Sequence, residues 1–364
     1  MKILIVCSGL DFINYTRRAT IEAIHKINPE LDILLFNSVL NIRKKKNTSN
    51  NIRFYFYHFW TVERLRKYKV FSFFEYCIRF FKWKSFFHRY DVVFLIDPNQ
   101  YYLLPYLNKN QKLVYLLRDP SVILDPNNFK RELPIIIRVD LILGISKSLC
   151  GYYFEKYYGF IPDNVKLWPN TVDMNLWNFN KWESFIEKKS RPLIGLAGNI
   201  DFVIDIELLV YVISHLSEYD FEIAGKLDLN NNEQIVWNEL LTLPNLRYLG
   251  FVSYNEFPRI VINWDVGLVA AKQEHEYAHY LNNNKQYQYL ALGKPFVTFR
   301  LDADYEEFED LVFIAETRID YIEKTHLALK KSQGTDVLEK GKKIALKHSA
   351  DVRAGAFLKY LSKL

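Results

Sequence analysis

The chain has 364 residues, 49% of them apolar and 25% charged, with a net charge of +6. That length exceeds one ordinary core, so two domains are expected, and the balance excludes a disordered or fibrous chain. Three cysteines without metal-ligand spacing (Cys7, Cys77, Cys150) exclude a disulfide framework and a zinc finger, and no apolar run reaches the ~18 residues a bilayer span requires.

Short apolar runs alternate with helical patterns along almost the whole chain. The opening residues, with only Lys2 before a brief apolar run, predict a buried first strand rather than a signal peptide, and the cysteine usage points to a reducing cytoplasm. Strands are predicted at Lys2–Cys7, Leu31–Phe36, Arg53–Phe59, Asp91–Ile96, Lys112–Leu117 and Leu141–Ile145. After a break punctuated by Pro162, Pro169 and Pro192 they resume at Leu193–Leu196, Phe221–Ala224, Leu246–Leu249, Val266–Val269, Phe296–Phe299 and Leu311–Ile314. Near-continuous apolarity marks parallel strands covered on both faces. Helices are predicted at Ile206–Leu216, Asn255–Asn263 and Lys285–Leu292, the last closed by Gly293. The result is a doubly wound α/β sheet, made twice. The expected division is 1–165 and 166–349, with a terminal helix over 350–364.

In such sheets ligands bind beyond the carboxyl ends of the strands. After the seventh predicted strand come Gly198 and Asn199. After the eighth come Gly225 and Lys226. A glycine there lets the main chain approach a phosphate, and the amides of a following helix stabilise its charge. Each is also an ordinary strand-to-helix turn, so neither motif stands alone.

The order of Ile194–Asn199, Phe221–Gly225, Asn245–Gly250, Trp264–Leu268 and Lys285–Val297 resembles the donor domain of GT-B glycosyltransferases. The likeness is nearest to the bacterial family-4-like group that builds surface polysaccharides. Ile145–Leu149 and Pro169–Asp173 resemble the segments leading into that group's linker, with Thr171 where Gly is usual. The likeness is clear over about 140–300 and holds only by pattern before that. It implies two Rossmann-like domains facing a cleft, with a last helix crossing back to the first domain. It further implies transfer of a sugar from a nucleoside-diphosphate donor to a glycan acceptor, commonly lipid-linked, without a metal or other cofactor. Gly198, Asn199, Gly225 and Lys226 would then lie near the diphosphate, Phe251, Val252 and Tyr254 near the base, and Lys285 at the phosphates and sugar. Gln288 stands where the family usually has a ribose-binding glutamate, and Tyr280 where it has another, with Glu274 and Glu276 nearby. An amide bonds ribose hydroxyls without the charge-assisted strength of a carboxylate.

Catalytic groups are expected partly from the first domain. Asp119, in Arg118-Asp119-Pro120 after a strand, is the first candidate for a general base; Asp11, after the opening strand, is the second and Asp97 the third. Pairing of Asp119 with Arg118 is the competing expectation. Arg17 and Arg18 follow Asp11 and are placed to meet acceptor phosphates. The acidic run Asp302–Asp310 reads as a solvated loop and His275/His279 as surface residues, so no metal site is assigned.

The excess charge is local. Residues 41–90 hold thirteen Lys or Arg against Glu63 and Glu75, a net +11, which leaves −5 for the remainder. Residues 53–90 also hold 17 aromatics in 38 positions, against 16% over the chain. Val70, Phe73, Phe74, Cys77, Phe80 and Phe81 recur with helical spacing, while Glu75, Arg79 and Lys82 mark another face. Two readings stand: a helix packed on its own sheet with a basic outer face, or one that docks on an anionic membrane surface. Nucleic-acid binding is not favoured. The expected location is the inner face of the cell membrane, peripherally attached. A sugar-nucleotide epimerase of the same fold and a non-catalytic glycosyltransferase-like partner protein are the alternatives, the second motivated by Gln288 and Tyr280.

Overall fold

The computed structural model describes residues 1–7, 17–38, 52–59, 68–301 and 305–364. Asp11 lies outside the described residues, as do Asp302 and Asp304 of the acidic run. The chain forms two compact units, Met1–Trp168 with Ala354–Leu364, and Pro169–Arg353.

The first unit is built on β1 (Ile3–Cys7), β2 (Leu31–Ser38), β3 (Arg53–Phe59), β4 (Val92–Leu95), β5 (Lys112–Leu117), β6 (Leu141–Gly144) and β7 (Val165–Leu167). They order as β3-β2-β1-β4-β5-β6-β7, all parallel. β1 and β4 are buried along their whole length, which explains why their sequences read as unbroken apolar runs. β7 has no predicted counterpart. It is three residues long, half-exposed, and sits at the sheet edge. At the chain's end the helix Ala350–Leu361 sends Phe357 into the first core, stacked on Phe94 at 5.2 Å.

The second unit repeats the plan with β8 (Leu193–Ala197), β9 (Asp220–Ala224), β10 (Leu246–Tyr248), β11 (Val266–Val269), β12 (Phe296–Phe299) and β13 (Val312–Ala315). Their order is β10-β9-β8-β11-β12-β13, again parallel. The winding therefore reverses between β1 and β4 in one sheet and between β8 and β11 in the other. Side-chain packing accounts for the exact place of the second reversal. β8 and β11 pair only over Val266↔Ile194 and Gly267↔Gly195. Beyond that, the Tyr289 hydroxyl accepts from Ala197 N–H at 3.0 Å and donates to the Leu268 carbonyl at 3.3 Å, filling the gap as the strands part.

The helix Lys69–Phe87 buries Trp83, Phe86 and Phe87. The stripe that recurs through Val70, Phe73 and Cys77 is exposed, Val70 at 64% and Phe73 at 65%, so the face picked out by its spacing is not the one that packs.

Candidate active site

Tyr289 belongs to the helix Asn284–Ala291. Residues four apart share one helical face, so a ring wedged at the reversal point carries Lys285 one turn further toward the carboxyl ends of the strands. There the Lys285 ammonium stands over Gly198: a Cβ on that glycine would lie 3.2 Å from Nζ. Gly198 has φ +120°, a conformation that L side chains rarely adopt. Its neighbour Gly225 is required for another reason, because a Cβ there would lie 1.7 Å from the Gly198 carbonyl oxygen. Main-chain bonds knit the strand ends into one floor: Gly198 N–H to Ala224 O and Gly225 N–H to Gly250 O, both 2.9 Å.

Lys285 is half-buried, and burial pulls its ammonium down to about 8, with the Asp201 charge opposing the fall. Among the described residues no acceptor takes a hydrogen bond from its Nζ. Beside it, Asn284 Oδ1 is buried and has no hydrogen-bond partner among the described residues. Asn283 supplies no side-chain cap, so the first amides of this helix lack a side-chain acceptor. An uncapped helix start, a desolvated cation and a glycine floor are chemically suited to an anion with several oxygens.

The other expected donor residues are distributed around this floor. Asn199 and Lys226 are exposed at the ends of β8 and β9, where the two loops continue to pair through Ile200↔Leu227. Phe251 is 71% exposed and Val252 half-buried. Tyr254 accepts from Trp177 Nε1 at 3.4 Å and bonds the Gln288 side chain; burial pushes its hydroxyl up to about 12. Gln288 is thus buried beside Tyr254. Tyr280 is also buried and donates to Glu276 at 3.2 Å, so a carboxylate does reach that position, from four residues upstream.

In the first unit a cavity of about 190 Å³ opens at the carboxyl ends of β4 and β5, bounded by Asp97, Arg118, Asp119, Ser121, Leu124 and Asn128. Asp119 accepts from Arg118 Nε at 2.6 Å, the competing expectation above. Asp97 caps the 3₁₀ helix Pro98–Tyr106, accepting from Asn99 N–H at 2.8 Å. Two of the three candidate carboxylates, Asp97 and Asp119, accordingly line one cavity. Arg17 is buried, with its guanidinium 5.3 Å from the Trp168 ring centre. Lys82 is exposed on its helix, and the Arg79 side chain is outside what the structure describes.

Glu132, on the helix Asn128–Arg138, was not singled out by the sequence reading. It is fully buried and accepts from four hydroxyls: Tyr115 at 2.5 Å, Ser121 at 2.9 Å, Tyr153 at 2.8 Å and Tyr158 at 2.5 Å. Burial raises its pKa, a rise that the four hydroxyls offset only in part. A signal was present: Asn128, Glu132, Ile135 and Ile136 form the buried stripe of that helix, and Glu132 holds an apolar register position.

No family model matches the chain. TuaH of Bacillus subtilis, named as a candidate teichuronic acid biosynthesis glycosyltransferase, is 26% identical over 198 residues, which is 54% of this chain. The match spans 47% of TuaH, about half its length. Among solved structures, sucrose-phosphate synthase of Thermosynechococcus elongatus superposes with a TM-score of 0.78 at 11% identity, covering 100% of this chain and 98% of that one. Anabaena HepE in complex with UDP superposes with a TM-score of 0.71 at 14% identity, covering 100% of both chains. Together with the strand order of both sheets, these likenesses show that the chain has the two-domain α/β fold of the GT-B glycosyltransferases.

Proposed function

We propose that this protein is a glycosyltransferase that takes a sugar from a nucleoside-diphosphate donor and delivers it to a glycan acceptor of surface polysaccharide synthesis. The observation that carries the reading is the placing of the Lys285 ammonium over Gly198 at the uncapped start of the helix Asn284–Ala291. The diphosphate accepts from those main-chain amides and from Lys285, which meet the charge that grows on the leaving group without calling on a metal. Gln288 and Tyr254 face the nucleoside. The acceptor oxygen attacks the anomeric carbon, the nucleoside diphosphate departs with the bonding pair, and Asp119 takes the hydroxyl proton. TuaH, by its name a protein of teichuronic acid biosynthesis, and HepE, crystallised with UDP, support this choice of substrates.

The acceptor is lipid-linked in this reading, because one helix of the first unit exposes Val70 and Phe73, with Tyr68 just before it, and also carries exposed Lys69, Lys82 and Lys84. Among the described residues no helix is long and apolar enough to cross a membrane, so attachment is at the surface of an anionic leaflet.

The test is a thermal-shift screen of UDP-, GDP-, dTDP- and CMP-sugars. A true donor at a hundred times its dissociation constant adds about 2.7 kcal/mol of stability. Gly198→Val removes that shift. A screen in which no nucleotide stabilises the wild type, or in which Gly198→Val responds equally, overturns the reading.

A further inference from the structure

We infer that the cavity at the carboxyl ends of β4 and β5 binds a single neutral sugar ring, and that Glu132 is the positioning residue that holds its wall. This rests on the reading of the first unit as the acceptor-holding half, which it deepens by naming the ligand class and the side chains.

The size decides first. About 190 Å³ is room for about six waters at ~30 Å³ each, the scale of one sugar ring and too little for a nucleotide. The lining decides the charge of the occupant. Arg118 and Asp119 already offset each other at 2.6 Å, and Asp97 stands across the cavity as a second acceptor. An anion meets both carboxylates and a cation meets the guanidinium, whereas a hydroxyl both donates and accepts and suits each in turn. Pro98 and Leu124 give the apolar C–H face of a ring a surface to lie on.

Glu132 explains how such a small site keeps its shape. The Glu132 Oε1 accepts from Tyr115, and its Oε2 accepts from Ser121, Tyr153 and Tyr158. The carboxylate is fully buried and is not part of the cavity lining, so it acts on a ligand only through the residues it holds. Two of those, Tyr115 and Ser121, themselves line the cavity and bracket the turn that presents Arg118 and Asp119. Asn128, one turn before Glu132 on the same helix, donates from Nδ2 to the Ser121 carbonyl at 2.9 Å and ties the turn a second time. A buried charge is costly unless fully bonded. Here it sets the spacing of two walls of one cavity.

The experiment is saturation-transfer NMR of the full chain with D-glucose, D-galactose and N-acetylglucosamine, with glucosamine and glucuronate as charged controls. A neutral sugar gives transfer to wild type, and Leu124→Trp, which fills the mouth from an exposed rim position, abolishes it at unchanged melting temperature. Glu132→Gln puts an amide N–H₂ against hydroxyl donors and weakens the sugar tenfold or more, with the affinity for the nucleotide found in the screen unchanged. Ser121→Ala, a gentler variant should Glu132→Gln not fold, weakens it about threefold. No transfer from any neutral sugar, transfer that survives Leu124→Trp, or tighter binding of a charged control overturns the site. Full sugar affinity in folded Glu132→Gln or in Ser121→Ala overturns the positioning role. Nucleotide binding is read on the same samples, so its failure breaks the proposed function and leaves the sugar site standing on its own result.

Discussion

The two units wind their strands in the same order, yet the loops that carry their candidate chemistry follow different strands and differ in kind. In the second unit β8, β9 and β10 end in Gly198, Gly225 and Gly250, and the main chain itself becomes the surface. In the first unit β4 and β5 end in Ile96-Asp97-Pro98 and Arg118-Asp119-Pro120, where a proline stiffens the turn and a carboxylate projects from it. Bare amides suit an anion, and carboxylates suit hydroxyls and the protons they release. One plan of sheet thus supplies two complementary surfaces, with glycines after strands on one side of the reversal in the second unit and aspartates after strands on the other side in the first, which is why function has to be argued from the loops and not from the fold.

The sharpest way to break that comparison is to exchange effects between the units. Gly225→Val places a side chain against the Gly198 carbonyl, where a Cβ has only 1.7 Å, so the backbone of both loops must move. Nucleotide binding is then lost outright, with about 2–4 kcal/mol of stability, as calorimetry and urea unfolding will measure. Asp119→Asn keeps the shape of the first cavity and leaves nucleotide affinity as in wild type, while transfer to acceptor falls by about 10²–10⁴. If Asp119→Asn weakened the nucleotide as much as Gly225→Val, the division of roles would be wrong.

How much of this was legible follows the range of the interactions. Lys112–Leu117, Val266–Val269 and Phe296–Phe299 stand where their apolar runs predict them, because a doubly covered strand writes its burial into consecutive residues. β7 writes nothing, being short, half-exposed and fenced by Pro162 and Pro169. The helix expected at Asn255–Asn263 shrinks to Phe257–Val261, with Pro258 in its first turn. Gly198 was visible as a turn glycine, but the need for Gly225 arises from a carbonyl 27 positions away in sequence and has no local signature. Glu132 is the clearest case: the hydroxyls that make it intelligible come from β5, the turn after it and a later helix, while among Lys130 and Arg131 it passes for a solvated charge.

Lys285 sharpens the comparison through pH. Its pKa falls from 10.5 to about 8 on folding, so between those values the unfolded chain binds more protons than the folded one. Its contribution to apo stability therefore rises with pH across that window. Binding of a diphosphate needs the ammonium charged, so nucleotide affinity runs the other way, falling as pH climbs through 8 and beyond. Lys285→Met abolishes both slopes. At pH 7 it weakens the nucleotide about 10- to 100-fold, the loss of a charge-assisted bond, and stabilises the empty protein by roughly 1–3 kcal/mol by removing a desolvated charge. Chemical denaturation and isothermal titration at pH 7, 8 and 9 check both signs; parallel slopes would show that Lys285 does not meet the anion.

The smallest effect belongs to the surface of the first unit, and it turns on why an apolar helical face is left exposed. Trp83, Phe86 and Phe87 already supply the packing of Lys69–Phe87, with Trp83 and Phe86 edge-on at 5.2 Å. Val70 and Phe73 are therefore surplus to the core, and Lys84 lies on the same side with its Nζ 5.1 Å from the Phe80 ring centre. Apolar residues flanked by lysines are what an interfacial helix requires, and each lysine near an anionic leaflet contributes about 1 kcal/mol. Lys82→Glu/Lys84→Glu should cut co-sedimentation with phosphatidylserine-containing vesicles about tenfold or more, and added salt should reproduce the loss in wild type. Phe73→Ser should weaken it at every salt concentration, because its contribution is burial rather than charge. Neither variant should alter nucleotide affinity, since the charge and the aromatic stripe lie in one unit and the anion receptor in the other. Equal pelleting of all three proteins would return this face to an ordinary exposed surface.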